Sequence, residues 1–120
     1  MNLEIARQWA ERLRSGAIQQ TGGGLGYTDG SRCCLGVVCD MAVEAGIIEA
    51  PTVQNGRLAY GKNPALDVLP YEVIVWTGLD TPNGYYRNPI GSGHTLSEQN
   101  DIGMPFSEIA DTIEKYASKL

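Results

Sequence analysis

The segment Ser31–Gly46, SRCCLGVVCDMAVEAG, constrains the fold of this chain more than any other stretch. From Cys33 onward its only charged residues are Asp40 and Glu44, which are four positions apart. On an α-helix this spacing places both carboxylates on one narrow face and leaves the other faces apolar. Because such a helix needs protein on nearly every side, the segment predicts a central buried helix over residues 33–45.

Three residues of this segment carry additional predictions. Ser31 is the predicted N-cap, since its hydroxyl can accept from a free N–H of the first turn. Gly46 is the predicted C-cap, since glycine adopts the left-handed conformation without steric cost. Gly36 inside the helix costs about 1 kcal/mol relative to alanine. We interpret this cost as the condition for another backbone segment to pack closely at that position.

The remaining helices are predicted from apolar periodicity and from turn signals at their ends. For residues 69–79 a strand is the alternative, because four residues of LPYEVIVWTGL are β-branched. Proline near the start and glycine at the end favour a helix there. Helices are therefore predicted over 3–14, 70–78 and 105–118.

Two short β-hairpins complete the predicted fold. Asn55-Gly56 separates two strand-like runs, and this dipeptide is the strongest local hairpin signal because both residues tolerate positive φ. The glycine-rich stretch 18–27 predicts two further short strands. Tyr85 and Tyr86 are a candidate edge strand. With 120 residues, the sequence predicts a single α+β domain over 1–120, with the central helix surrounded by other helices.

Charge and composition limit the classes of partner. The net charge is -5 and no basic stripe is visible, so duplex nucleic acid is not an expected partner. No apolar run reaches membrane-spanning length, so no membrane contact is expected. Three cysteines, two of them adjacent, fit a reduced cytosolic setting better than a disulfide framework. A small anionic ligand remains compatible, because local donors can outweigh a weak overall field.

The chain resembles a family of small uncharacterised proteins encoded in tailed-phage and prophage genomes. The CCLGVxCD motif carries most of the specificity, and weaker motifs follow the same order along the chain. The matching residues are Leu13–Gly16, Gln20, Gly24-Leu25, Cys33–Asp40, Ala42, Ala45-Gly46, Leu69-Pro70, Val73, Trp76, Gly78-Leu79, Leu96, Asn100-Asp101, Gly103, Phe106, Glu108–Asp111 and Ile113-Glu114. The chain departs at Pro105, where the family usually has a serine, and in its glycine-rich 91–93 segment. The resemblance implies a phage accessory protein in the host bacterial cytoplasm, and it implies no catalytic residues.

The cysteines allow two chemical readings besides packing. Three thiols and His94 could bind zinc, but the adjacent Cys33 and Cys34 project about 100° apart on a helix and do not converge on one ion. A hydrolase would need Cys33, placed at the helix start, next to His94. Free cysteines are more often small buried residues, so we expect no metal and no cofactor.

Several polar and glycine-rich stretches are candidate ligand contacts. The GGGLG loop at 22–26 and the GSGHT stretch at 91–95 could offer backbone N–H groups to phosphate, although neither matches a known nucleotide-binding motif. Alternatively, these stretches are turns and exposed loops without a ligand. The residues predicted to contact a ligand are Gln20, Gly24, Arg32, Cys33, Tyr85, His94, Asn100 and Asp101.

These observations predict a non-enzymatic phage accessory binding protein. Its expected role is counter-defence, either by sequestering a small nucleotide-type immune signal or by inhibiting a host defence protein. A homo-oligomer is compatible with such a role, because binding pockets often form between subunits. The alternatives are a small Cys/His-dependent hydrolase and a protein–protein interaction module.

Overall fold

A computed structural model describes all 120 residues and shows the predicted α+β fold. Five α-helices are accompanied by a short C-terminal 3₁₀ helix and by two antiparallel sheets of two strands each. In chain order the elements are α1 Leu3–Arg14, α2 Cys34–Glu44, β1 Thr52–Gln54, β2 Arg57–Ala59, α3 Tyr71–Thr77, β3 Tyr85–Arg87, β4 Gly93–Thr95, α4 Leu96–Asp101, α5 Phe106–Tyr116 and the 3₁₀ helix Ala117–Lys119. None of the helices combines the length and the apolar composition needed to cross a bilayer.

Helix α2 is the interior element that its sequence predicts. Residues 34–39 are all buried, and so are Met41 and Ala42. All three cysteines are free and buried, and Cys34 and Cys39 have no exposed surface at all. The thiols therefore pack as small apolar groups in the core, as expected.

The helix begins two residues later than a cap at Ser31 would require, so the predicted N-cap is wrong. The N-cap is Cys33, whose Sγ accepts from the N–H of Gly36 at 3.4 Å. Before it the backbone is still extended, because Arg32 pairs with Gln20 and Gly26 in isolated bridges. The predicted C-cap is one residue too late: the C-cap is Ala45, and Gly46 follows it with a φ of +75°.

Helices α1 and α5 pack against each other, and α1 also packs against α2. Trp9 of α1 is fully buried, and its Nε1 donates to the carbonyl oxygen of Cys34 at 2.9 Å. At the surface, Arg14 of α1 pairs with Asp111 and Glu114 of α5. A buried apolar face and a charged edge thus fix the two helices against each other.

The local turn signals are confirmed at two places, and a further cap is seen at α4. Asn55 and Gly56 have φ values of 52° and 77°, as the hairpin between β1 and β2 requires. Residues 71–77 are helical, and Gly78 ends α3 with a φ of +72°. Thr95 caps α4 by accepting from the N–H of Glu98 at 3.0 Å.

The second sheet is not where the glycine-rich stretch predicts it. Residues 18–27 form only isolated bridges, to Arg32 and Arg57, and no strand. Glycine lacks the side chains that stabilise a sheet through cross-strand pairs. The conformation of this segment is therefore set by contacts with neighbouring segments. The second sheet pairs β3 with β4, and it includes the predicted strand residues Tyr85 and Tyr86.

Candidate functional site

The eight predicted ligand residues do not form one site in the structure. Three of them line a narrow cleft, three are occupied by internal hydrogen bonds, and two lie on the β3–β4 hairpin. The three groups are Gly24, Cys33 and Asp101; Gln20, Arg32 and Asn100; and Tyr85 and His94.

The cleft has a volume of about 130 Å³ and lies beneath the glycine-rich loop. It is lined by Gly23, Gly24, Cys33, Asp67, Val68, Ser97 and Asp101. No arginine or lysine lines it, while two carboxylates do. We therefore name it the Cys33 cleft and conclude that neither its charge nor its volume suits an anionic nucleotide.

The Cys33 thiol is not prepared as a nucleophile. Burial raises the pKa of Cys33, and this effect outweighs the N–H of Gly36, which favours the thiolate. His94 lies on the hairpin, where its Nε2 is 3.4 Å from the Nδ2 of Asn88 and its ring is 5.7 Å from that of Tyr86. The structure therefore does not place the imidazole beside the thiol.

Gln20 and Asn100 hold three segments together. The Oδ1 of Asn100 accepts from the Nε2 of Gln20 at 3.0 Å and from the free N–H of Cys34 at 3.1 Å. The Nδ2 of Asn100 donates to the carbonyl of Thr21 at 2.7 Å. The Oε1 of Gln20 accepts from the N–H of Phe106 at 3.2 Å. These amides satisfy the buried starts of α2 and α5, which accounts for both residues without a ligand.

The side chain of Arg32 is likewise engaged in hydrogen bonds within the protein. Its Nε donates to Asp40 at 2.7 Å, and its Nη1 donates to the carbonyls of Tyr27 and Ser31. The hydroxyl of Tyr60 donates to the same carboxylate at 2.5 Å. Burial, reinforced by this hydrogen bond, raises the pKa of Tyr60 far above its ordinary range. The guanidinium is thus part of an internal network rather than an open anion site.

A larger cavity lies beside the β3–β4 hairpin and the C-terminal 3₁₀ helix. Its volume is about 380 Å³, and we name it the hairpin cavity; it is lined by Asp80, Thr81, Tyr85, Tyr86, Arg87 and Lys119. Along β3, side chains alternate between the two faces of the sheet, so Tyr85 and Arg87 share one face. The guanidinium carbon of Arg87 lies 5.8 Å from the centroid of the Tyr85 ring. Arg87 also donates from Nη1 to the carbonyl of Gly91 at 2.8 Å.

Tyr86, on the other face of β3, anchors the hairpin to the core. Its ring stacks on Tyr116 of α5 at 4.5 Å between centroids, and only 5% of the residue is exposed. Its hydroxyl accepts from the Nε2 of Gln99 at 2.5 Å. Gly93, which pairs with Arg87, also lies close to the Tyr85 ring: a β-carbon on Gly93 would lie 2.9 Å from the Cε2 atom of that ring. A side chain at position 93 would therefore displace the Tyr85 ring.

The profile of a family described as Domain of unknown function (DUF8296) matches residues 1–117. The chain belongs to this family. No curated protein and no solved structure matches it. The match extends over all five α-helices and both sheets of the DUF8296 domain.

Two other cavities of the DUF8296 domain differ from the hairpin cavity in chemistry. One, of about 490 Å³, lies between α1 and α2; it includes Trp76, and its only cation, Arg12, pairs with Glu44 at 2.7 Å. The other, of about 390 Å³, contains Lys62 together with two glutamates and no aromatic ring. The hairpin cavity alone combines aromatic rings with more positive than negative side chains.

Of the residues that line the hairpin cavity, the sequence analysis names Tyr85 as a ligand contact and does not name Arg87, Lys119 or Thr81. Arg87 had a usable signal, because a residue two positions after Tyr85 in a strand shares its face. Lys119 had none, since its position in this cavity depends on how the C-terminal 3₁₀ helix packs in the domain.

Proposed function

We propose that this DUF8296 domain is a non-enzymatic binding protein that holds a small anionic, nucleotide-type ligand in the hairpin cavity. The observation that carries the proposal is the meeting of the Tyr85 ring with the two cations Arg87 and Lys119 in one cavity of about 380 Å³. This volume falls within the range of about 300–1,000 Å³ typical of small-molecule sites.

Each part of a nucleotide has a matching group in the cavity. Stacking of a base on an aromatic side chain contributes roughly 1–3 kcal/mol and tolerates any base. Arg87 and Lys119 supply charge-assisted donors for phosphate oxygens. The carboxylate of Asp80 can accept from an exocyclic amine or a ribose hydroxyl. The Oγ1 of Thr81 is oriented by the N–H of Tyr85, which donates to it at 2.8 Å, and its own proton is free to donate to a ligand.

The biological role that we propose follows the resemblance to phage proteins. In the host bacterial cytoplasm, such a protein would sequester a nucleotide-type immune signal and thereby act in counter-defence. Sequestration requires tight binding without turnover. The hairpin cavity suits this requirement, since neither a thiol nor an imidazole lines it.

A host defence protein is the second candidate partner. The observation that favours it is the outward face of α3, where Tyr71 and Val75 are 75% and 62% exposed. These two large apolar side chains lie one helical turn apart on the same side of α3, so that one partner surface could cover both. The same face could pair two copies of the chain in a homo-oligomer.

A retention assay tests the nucleotide proposal. Purified protein is incubated with a defined panel of mononucleotides, cyclic mononucleotides and cyclic dinucleotides, desalted, and heated to release what it holds. Mass spectrometry then identifies the released compounds. Release of an intact nucleotide supports sequestration, whereas release of an altered nucleotide indicates an enzyme. Retention of none of the panel contradicts the proposal and favours a protein partner.

Variants assign the retained nucleotide to the cavity. Because they remove the stacking surface and one phosphate donor, we expect Tyr85→Ala and Arg87→Gln each to weaken binding by about tenfold or more. Lys62→Gln is the matched control, since it removes the same charge from an exposed lysine that lines a different cavity. If Lys62→Gln weakens binding as much as Arg87→Gln does, the effect is one of overall charge and the assignment fails.

A further inference from the structure

We infer that residues Gly22–Gly24 form a strap that covers the Cys33 cleft and opens while the rest of the domain stays folded. This inference is independent of the nucleotide proposal, because the strap and the hairpin cavity share no residue. It rests on how the strap is held, on what lies beneath it, and on an unpartnered nitrogen beside it.

Both ends of the strap are fixed to the body of the domain. The N–H of Thr21 donates to the carbonyl of Arg32 at 2.9 Å, and the N–H of Leu25 donates to the carbonyl of Leu66 at 2.8 Å. The Leu25 side chain is fully buried. Movement between these two anchors is therefore confined to the three glycines.

The strap itself makes no backbone–backbone hydrogen bond. Three side chains hold it instead. Asp101 accepts from the N–H of Gly23 at 3.2 Å, and Arg57 donates to the carbonyl of the same residue at 3.1 Å. The hydroxyl of Tyr27 donates to the carbonyl of Gly22 at 3.0 Å.

Few hydrogen bonds and three consecutive glycines make this the kind of segment that opens locally. Glycine has the widest choice of backbone conformations, and segments held by few exposed hydrogen bonds open at low free energy. Asp101 is exposed, and Gly22 and Gly23 are exposed as well. Water can therefore replace their hydrogen bonds as soon as the strap moves.

When the strap opens, water can reach one buried atom beside it that has no hydrogen-bond partner in the closed state. The Nε of Arg57 is buried and has no hydrogen-bond partner, and it would lie 3.2 Å from a β-carbon placed on Gly24. A buried donor without a partner costs free energy, which water entering an open cleft would recover. This gain offsets part of the cost of breaking the bonds of the strap.

Cys33 reports the opening. Gly23 and Gly24 form one wall of the cleft that Cys33 lines, and Cys33 is 6% exposed when the strap is closed. Cys34 and Cys39 lie deeper in the core with no exposed surface. Opening of the strap would expose the first thiol alone, while modification of the other two requires unfolding of α2.

The test is alkylation of the intact protein with iodoacetamide, with each cysteine assigned by peptide mass spectrometry. We expect Cys33 to react faster than Cys34 and Cys39, and Cys33→Ser to remove this fast reaction. Asp101→Ala, which breaks one of the bonds that hold the strap, should raise the Cys33 rate by about fivefold, as expected for loss of one hydrogen bond. The rates at Cys34 and Cys39 in the same molecules correct for any change in global stability.

Asp101→Asn distinguishes loss of the hydrogen bond to the strap from loss of the negative charge near the Cys33 thiol. Both variants remove the negative charge near the thiol, but asparagine keeps an oxygen that can accept from Gly23. We expect Asp101→Asn to react close to the wild-type rate. Equal acceleration in both variants would overturn the inference, and so would equal reactivity of the three cysteines in the wild-type protein.

Discussion

A β-carbon on Gly36 would overlap the carbonyl oxygen of Leu25 and lie 2.8 Å from its carbonyl carbon. The same carbonyl oxygen accepts from the N–H of Cys33 at 3.2 Å. Helix α2 and the glycine-rich segment therefore meet backbone to backbone, with no space for a side chain between them. This contact explains a glycine in the interior of a buried helix.

Gly36→Ala tests this contact directly. Alanine would favour the helix by about 1 kcal/mol, but its methyl group meets a backbone oxygen that no rotamer change can move. We expect a net loss of about 3 kcal/mol in the free energy of unfolding, measured by urea denaturation. Gly46→Ala is the control, because it has open space and a φ of +75°, and it should cost only about 1 kcal/mol. Equal losses in the two variants would contradict the close packing.

Val38→Asp tests the interior position of α2. Val38 has no exposed surface, so the variant would bury a carboxylate without a partner. We expect it not to fold, as judged by circular dichroism and by solubility. Val75→Asp is the matched control on the exposed face of α3 and should change stability by about 0.5 kcal/mol or less. A soluble Val38→Asp protein with the wild-type melting temperature would show that α2 is not in the core.

Asp40→Ala tests the internal network of Arg32 and Tyr60. The Arg32 side chain is only 16% exposed, so removal of its partner leaves a largely buried cation unpaired and a hydroxyl without its acceptor. We expect a loss of about 3 kcal/mol in the free energy of unfolding. Glu11→Ala, which breaks a surface ion pair with Arg7, should cost about 0.5 kcal/mol or less. If the two variants lose equal stability in urea, the network contributes no more than a surface pair.

The buried thiols predict a loss of stability in alkali. Burial raises the pKa values of Cys34 and Cys39 well above their ordinary value of 9.0. In the unfolded chain these thiols lose protons near that pH, whereas in the folded chain they stay protonated. Their contribution to stability is thus complete below about pH 9 and declines as the pH rises from there toward the folded pKa.

Urea midpoints measured between about pH 8 and pH 10.5 under reducing conditions check this prediction. The slope is about 1.4 kcal/mol per pH unit for each thiol that stays protonated. We expect Cys39→Ala to be less stable than the wild type at every pH. Its stability should fall less steeply as the pH rises, because one of the two thiols that cause the slope is absent. Parallel slopes for Cys39→Ala and the wild type would exclude Cys39 as a source of the pH dependence.

Local signals predicted most of the fold. Periodicity and end signals place α1, α2, α3 and α5 within one or two residues of their observed bounds, and Asn55-Gly56 places the β1–β2 hairpin. The same reasoning failed in the glycine-rich segment, whose conformation is fixed by contacts with Arg32, Arg57 and Asp101. It also gave the N-cap of α2 to Ser31, whose hydroxyl instead donates to Asp29 at 2.6 Å.

The candidate site was predicted less well than the fold. Arginine and asparagine often bind anions or other ligands. Here, however, Arg32 donates a hydrogen bond to Asp40, and Asn100 accepts one from the N–H of Cys34. Nothing in the spacing of the chain indicates those partners, because they are set by packing between distant segments. Tyr85, which the sequence predicts as a ligand contact, lines the hairpin cavity, and its role there stays a prediction.

By itself, the sequence determined that a nearly uncharged helix occupies the interior and that some backbone passes close to Gly36. These properties depend on side-chain polarity and size along one helix, and both can be read directly from a periodic pattern. Only the tertiary structure decided that this backbone belongs to Leu25, and that Arg87 and Lys119 share a cavity with Tyr85. Such partners are chosen by how separate elements pack, and the free energy of that packing depends on the whole domain rather than on local spacing.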